Sequence, residues 1–360
     1  MDGSGPHYLT YAKRLPDGRL ECEVCPRHCR LRANQHGFCF AYQADEHGLR
    51  QRTYGRASGL CIDPIEKKPL FHFLPGTPVL SFGTVGCNLA CRFCQNWDIS
   101  HARQLDRYLQ PASPKAIATT AAAHHCRSVA YTYNDPVVFL DYAIDTAQAC
   151  RQKGLANVAV TAGIIDGPAR RDLFASMDAA NVDLKSFRDD FYRKWCGQHL
   201  APVLATLRHL VHESGAWLEI TTLLIPGLND SAAELHELCR FIHDELHPNV
   251  PLHFSAFQPD GRMQHLPATP MATLQRAHDI AKAVGLRFVY LGNVHDQQHD
   301  STWCPDCGAC LIGRDWYELT TWNLDPAGRC RQCQYQLPGR LASEPGNWGR
   351  KRLPVSPAPD

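Results

Sequence analysis

Three cysteines, Cys87, Cys91 and Cys94, fall within eight residues of the stretch Gly86-Cys87-Asn88-Leu89-Ala90-Cys91-Arg92-Phe93-Cys94-Gln95-Asn96-Trp97. They follow the apolar run Val79-Leu80-Ser81-Phe82, which reads as a buried strand. Thiolates spaced C-x3-C-x2-C can hold three corners of a cubic iron–sulfur cluster. A tetrahedral zinc site wants a fourth ligand, and none follows within loop reach. The plain alternative is three buried or zinc-bound thiols. If iron is bound, one iron lacks a protein ligand and is open to a small molecule.

Two further cysteine groups flank this one. Cys22-x2-Cys25-Pro26-x2-Cys29 followed by Cys39 is enough to close a tetrahedral site around zinc or a second iron–sulfur cluster, or is a set of inert thiols. Cys304-x2-Cys307 and Cys330-x2-Cys333, separated by 22 residues, read as a zinc ribbon, with a second cluster as the competitor. Zinc would order a module too small for its own core, at an apparent binding free energy of roughly 10–16 kcal/mol. Cys310 is left over, and Cys61 reads as core.

The elements that must position these groups alternate between strand-like and helix-like patterns. Strands are expected at Val79–Gly83, Ser128–Tyr133, Asn157–Thr161, Asn181–Lys185, Trp217–Leu224, Leu252–Phe257 and Arg287–Leu291. Ser231-Ala232-Ala233-Glu234 is a capping-box pattern that starts one helix, and Thr269-Pro270 starts another. Six or seven such units imply α/β architecture, a parallel sheet wrapped by helices, with chemistry at the carboxyl ends of the strands. At those ends lie Asn134-Asp135-Pro136 and Asp183-Leu184-Lys185. Asp135 with Pro136 makes a helix start, and its carboxylate could also receive an ammonium group. Asp183 and Lys185 lie on one side of a strand, where they can pair with each other or with a zwitterion. Asn229 in the loop Thr221–Asp230, His253 and Ser255, and Gly292–Asp296 are further cavity candidates or ordinary turn and core residues.

The C-x3-C-x2-C loop with an aromatic before its last cysteine resembles the cluster loop of the radical S-adenosylmethionine (SAM) superfamily. The phrases Asp63-Pro64-Ile65-Glu66-Lys67-Lys68-Pro69-Leu70 and Asn96-Trp97-Asp98-Ile99-Ser100 resemble the AmmeMemoRadiSam-system proteins, relatives of the pyruvate formate-lyase activating enzymes. The resemblance implies a partial (β/α)6 TIM-like barrel at 76–296. An N-terminal Cys-rich segment at 1–75 would precede it. A zinc-ribbon-like module at 297–338 and a disordered tail at 339–360 would follow. It implies a 4Fe–4S cluster on Cys87, Cys91 and Cys94, and SAM held by Asn134, Asp135, Asp183 and Lys185. Asn134-Asp135-Pro136 stands where the superfamily has a Gly-Gly-Glu-Pro-like motif. The implied reaction is reductive cleavage of SAM to a 5′-deoxyadenosyl radical that abstracts hydrogen from a polypeptide, a small molecule or RNA. An electron donor of flavodoxin or ferredoxin type is implied, with Memo-like and Ammecr-like proteins as partners. No catalytic acid or base stands out.

The totals restrict other classes. With 37 basic and 36 acidic residues in 360, no global field favours nucleic acid or a membrane surface. Met1–Thr10 carries no apolar leader, and no run approaches a membrane span. Clustered C-x2-C spacings then favour metal ligation in a reducing cytoplasm over disulfides. The reading from a different class is a non-catalytic, zinc-binding scaffold.

Overall fold

A computed structural model describes residues 5–359. The expectation drawn from Met1–Thr10 and the end of the tail at Asp360 lie partly outside those residues.

The main sheet starts with a long strand, β1 (Arg56–Pro64), paired antiparallel to β2 (Pro78–Gly83). From β2 the chain runs through parallel strands β3 (Ser128–Tyr131), β4 (Ala156–Thr161), β5 (Ala179–Asp183), β6 (Trp217–Leu224), β7 (Leu252–Ala256) and β8 (Val289–Gly292). Each pairs with the next in register. All seven expected strands form, with ends displaced by at most two residues. Among the described residues the parallel array therefore has seven strands, not six, and the path does not close on itself. Val79, Leu80 and Phe82 of β2, and every residue of β3, are buried. That continuous burial is what a parallel strand covered on both faces requires.

Helices fill the crossovers: α1 (Pro114–Ala123), α2 (Leu140–Gln152), α3 (Gly167–Ala175), α4 (Ala201–His212), α5 (Ala232–Phe241) and α6 (Met271–Val284). The Ser113 hydroxyl caps α1, with Pro114 in its first turn. Ser231 caps α5 by accepting from the Glu234 amide. Glu234 does not reciprocate as the capping-box pattern expects. Its carboxylate accepts from the Ser186 hydroxyl and, at 2.8 Å, from the Phe187 amide, which ties down the turn after β5.

Two expected boundaries shift. β1 lies within the segment expected to be the separate N-terminal unit, yet it belongs to the main sheet. The tail, expected to be disordered from its Pro, Gly and Arg content, follows an ordered course. The Gly346 amide donates to the Pro75 carbonyl at 2.9 Å. Leu353–Pro354 then pairs antiparallel with Ile62 and Cys61 of β1. No helix among the described residues is long and apolar enough to cross a membrane.

Candidate active site

The Asp63–Leu70 phrase ties β1 to the floor of the barrel. Asp63 and Lys68 are both buried and pair at 2.7 Å, with Lys67 on the same carboxylate at 3.2 Å. Just beyond, the Phe71 and His72 amides donate to Glu219 of β6, which also binds His253 of β7 at 2.7 Å. The lower barrel is thus closed by polar groups that satisfy one another. His253 sits in that plug and does not line the cavity above it.

That cavity, of about 310 Å³, opens at the carboxyl ends of the strands. Its wall includes Cys87, Cys91 and Cys94 from the loop after β2 and Asp135 from the turn after β3. Thr161 of β4, Asp183 and Lys185 at the end of β5, Thr221 of β6 and Ser255 of β7 complete it. Six strand ends thus deliver the expected residues to one place, together with Thr161, which the sequence reading missed. Larger cavities, of about 610 and 630 Å³, lie elsewhere and gather no comparable set, so size does not identify the site.

The cluster loop is held from several sides. Gly86 has φ +90°, and a Cβ there would lie 2.0 Å from the Cys39 carbonyl oxygen, so only glycine admits this approach. The Leu89 amide points at the Cys87 sulfur at 3.4 Å. The Ala90 and Arg92 amides donate to the carbonyls of Cys196 and Trp195. Opposite, the Arg262 amide donates to the Arg92 carbonyl. Cys196 brings an unforeseen fourth thiol against Cys91, and their S–H contact pushes the Cys91 thiol up, with burial adding to it. Burial also pushes up Cys87, reinforced by Asp135, and Cys94, where Ser100 opposes it. Metal must therefore displace tightly held protons.

Asn134 lines the cavity with the other residues expected to hold the cofactor, and its side chain also ties down the cluster loop. Its Oδ1 accepts from the Thr84 amide at 2.9 Å, and its Nδ2 donates to the Thr84 hydroxyl at 3.0 Å and the Gly86 carbonyl at 2.9 Å. The side chain is a clasp on the root of the cluster loop. Asp135 lines the cavity but already accepts three hydrogen bonds, from the Val137 and Ala162 amides and the Thr161 hydroxyl. Burial raises its pKa, and these donors oppose the rise. The expected helix start is real too, since Asp135 caps the short helix Pro136–Phe139.

Lys185 and Asp183 pair at 2.7 Å. Burial disfavours the Lys185 charge, but Asp183 and the Cys91 and Cys196 sulfurs outweigh it and hold its pKa well above the ordinary value. Thr221 carries a buried hydroxyl oxygen with no partner, on the same wall. An unpaired buried oxygen beside an ion pair is a receptor for a polar ligand. Asn229, by contrast, is spent inside its own loop, on the Ile225 amide and the Lys185 and Leu223 carbonyls.

At the other end of the chain, Cys304 and Cys333 lie 3.5 Å apart, Cys307 and Cys330 3.7 Å, and all four sulfurs within 4.8 Å of one another. A tetrahedron with ~2.3 Å metal–sulfur bonds spaces its sulfurs ~3.8 Å apart. This group can hold a single zinc-like ion. Cys310 stands outside it, at the start of the strand Cys310–Asp315.

An uncharacterized protein of Methanocaldococcus jannaschii is 39% identical over 324 residues, covering 90% of this chain and 96% of that one. The radical SAM superfamily pattern matches residues 82–242, which span the cluster loop, Asp135, Asp183 and Lys185. Residues 82–242 carry a radical SAM superfamily domain. Among solved structures, a domain of pyruvate-formate lyase-activating enzyme from Bacteroides vulgatus aligns with a TM-score of 0.41 at 17% identity, over 46% of this chain and 99% of that one. A radical SAM methyltransferase from Sphaerobacter thermophilus gives 0.47 at 17% identity, over 61% and 67%. A radical SAM domain implies a 4Fe–4S cluster and SAM. The residues present suit both: three thiols without a fourth in their loop, an ion pair matched to a zwitterion, and the unpaired Thr221 oxygen.

Proposed function

We propose that this chain is a radical SAM enzyme of the activating-enzyme type, acting on a polypeptide. The observation that carries the proposal is the convergence of Cys87, Cys91 and Cys94 with the Asp183–Lys185 pair on one cavity at the strand ends. When bound, the cluster and SAM supply a one-electron cleavage that yields methionine and a 5′-deoxyadenosyl radical able to abstract hydrogen. The three cysteines would hold the cluster, Lys185 and Asp183 would meet the opposite charges of a bound methionine moiety, and Asp135, on the same wall, would accept from its ammonium. A polypeptide substrate is supported by the unclosed side of the barrel.

The Asp63–Leu70 and Asn96–Ser100 phrases support membership in the AmmeMemoRadiSam group, with Memo-like and Ammecr-like proteins as partners and a flavodoxin or ferredoxin as electron donor. The test is anaerobic incubation of the reduced, iron-loaded protein with SAM. Wild type should release 5′-deoxyadenosine; Cys91→Ala should release none and lose about four iron. Lys185→Met should keep its iron but bind SAM more than about tenfold more weakly. Deuterium transfer from labelled candidate polypeptides would then identify the substrate. Iron-free wild type that binds only zinc overturns the proposal in favour of a scaffold.

A further inference from the structure

Cys22, Cys25, Cys29 and Cys39 line one small pocket, together with Arg27, Phe38 and Asn88. Each sulfur faces a backbone amide: Val24 for Cys22, Arg27 for Cys25, Phe38 at 3.5 Å for Cys29, and Ala41 for Cys39. For three of the four, the donor lies two residues beyond the cysteine. The same two-residue step recurs at Cys87 with Leu89, at Cys94 with Asn96, and in the C-terminal group at Cys307, Cys330 and Cys333. Buried cysteines elsewhere differ. Cys126 faces Leu80, and Cys150 faces the Tyr131 hydroxyl. Amides aimed at sulfur stabilise the ligating thiolate and tune the metal it holds.

The pocket also abuts the cluster loop. Asn88, the residue after Cys87, lines the same pocket as the Cys25 sulfur. Gly86, the residue before it, is pressed against the Cys39 carbonyl. Arg27 donates to the Asn88 and Gly197 carbonyls at 2.7 and 2.6 Å, and its charge acts on Cys25, Cys29, Cys39 and Cys87 together. One cation therefore serves both sets of thiols. The two sets meet on either side of Cys87.

Spacing separates the N-terminal set from the C-terminal one. Among the described residues, the Cys304 group is the one whose sulfurs gather within a single-ion shell. The N-terminal four do not gather that tightly, and a multi-iron core needs its sulfurs farther apart than a single ion does.

We infer that Cys22, Cys25, Cys29 and Cys39 hold a second, fully protein-ligated 4Fe–4S cluster that relays electrons to the cluster on Cys87, Cys91 and Cys94. The inference rests on the radical SAM reading of that second centre. One electron from a flavodoxin or ferredoxin reduces the N-terminal cluster from its 2+ to its 1+ state. The same electron then passes inward and restores the 2+ state, with no bond made or broken and no proton moved. Phe38, exposed and stacked on Arg27, marks the outer side.

The test uses full-length protein reconstituted without oxygen. Wild type should carry roughly eight iron and eight sulfide, and reduction should give two paramagnetic signals, only one of them altered by SAM. Cys25→Ser should keep roughly four iron and the SAM-responsive signal. Its SAM cleavage with dithionite should stay near the wild-type rate, while cleavage driven by flavodoxin falls more than about tenfold. Roughly four iron and two zinc in wild type, or full flavodoxin-driven activity in Cys25→Ser, overturns the inference. If Cys25→Ser does not accumulate, the wild-type metal count and its two signals decide. Failure of the underlying reading looks different: no signal responds to SAM, and Cys91→Ala keeps all its iron.

Discussion

Replacing Asn134 with alanine separates a clasp from a cofactor contact. The substitution strips the Thr84 amide and the Gly86 carbonyl of their partners in a buried setting. Each stranded group costs about 1–3 kcal/mol, so the loss is roughly 2–6 kcal/mol, concentrated at the root of the cluster loop. Taking 3 kcal/mol, the locally opened population rises by about two orders of magnitude. Hydrogen–deuterium exchange followed by mass spectrometry reads this on peptides covering residues 84–96. Exchange there should accelerate about a hundredfold in Asn134→Ala, with peptides from α5 and α6 unchanged. Iron should also leave the loaded protein faster. If loop exchange stays within about threefold of wild type while SAM affinity falls, the clasp argument is wrong and the side chain acts on the ligand.

Three other outcomes can be checked directly. Cys196→Ala should keep full iron at the cluster loop, because Cys196 only neighbours Cys91; iron loss would mean a closed four-thiolate shell and no vacant iron for SAM. Cys304→Ser should release one zinc, read by elemental analysis, and make residues 297–338 sensitive to protease, since metal binding there is folding energy. Glu66 is fully buried, and burial raises its pKa from 4.5 to about 7 against the opposing pull of Arg314. Its folded pKa exceeds the unfolded one, so its contribution is complete below pH 4.5 and is lost as pH rises through 7. Glu66→Gln should remove that component, worth at most about 3 kcal/mol, from urea midpoints compared at pH 5 and pH 8; identical pH dependence in both proteins would contradict it.

The strands were legible because parallel strands buried on both faces leave unbroken apolar runs, as in Val79–Phe82. The cluster loop was legible because three ligands sit within eight residues. What escaped depends on contacts distant in sequence. Asn134 reads as a ligand-side residue until Thr84 and Gly86, about fifty residues earlier, are seen to occupy every polar atom it has. Cys196 lies far from the loop in sequence and carries no motif, yet the backbone pairing of Trp195 and Cys196 with Arg92 and Ala90 lays it against Cys91. Thr161 is an ordinary strand-end threonine until Asp135 is seen to accept its hydroxyl proton. The tail misled for a different reason: its composition is rich in Pro, Gly, Ser and Arg, but its backbone finds partners on β1 and on the Pro75–Gly76 turn.

The pairing of Leu353–Pro354 with Ile62 and Cys61 bears on how the protein is made. Some 290 residues separate the two halves of that edge, which at 5–20 residues per second is roughly 15 to 60 s of ribosome time. Throughout that interval the Cys61–Ile62 part of the rim stays bare, since Gln110–Pro111 reaches only Arg56 and Ala57. Residues 353–354 cover it late, so this edge stays unfinished until the chain has been made at least that far.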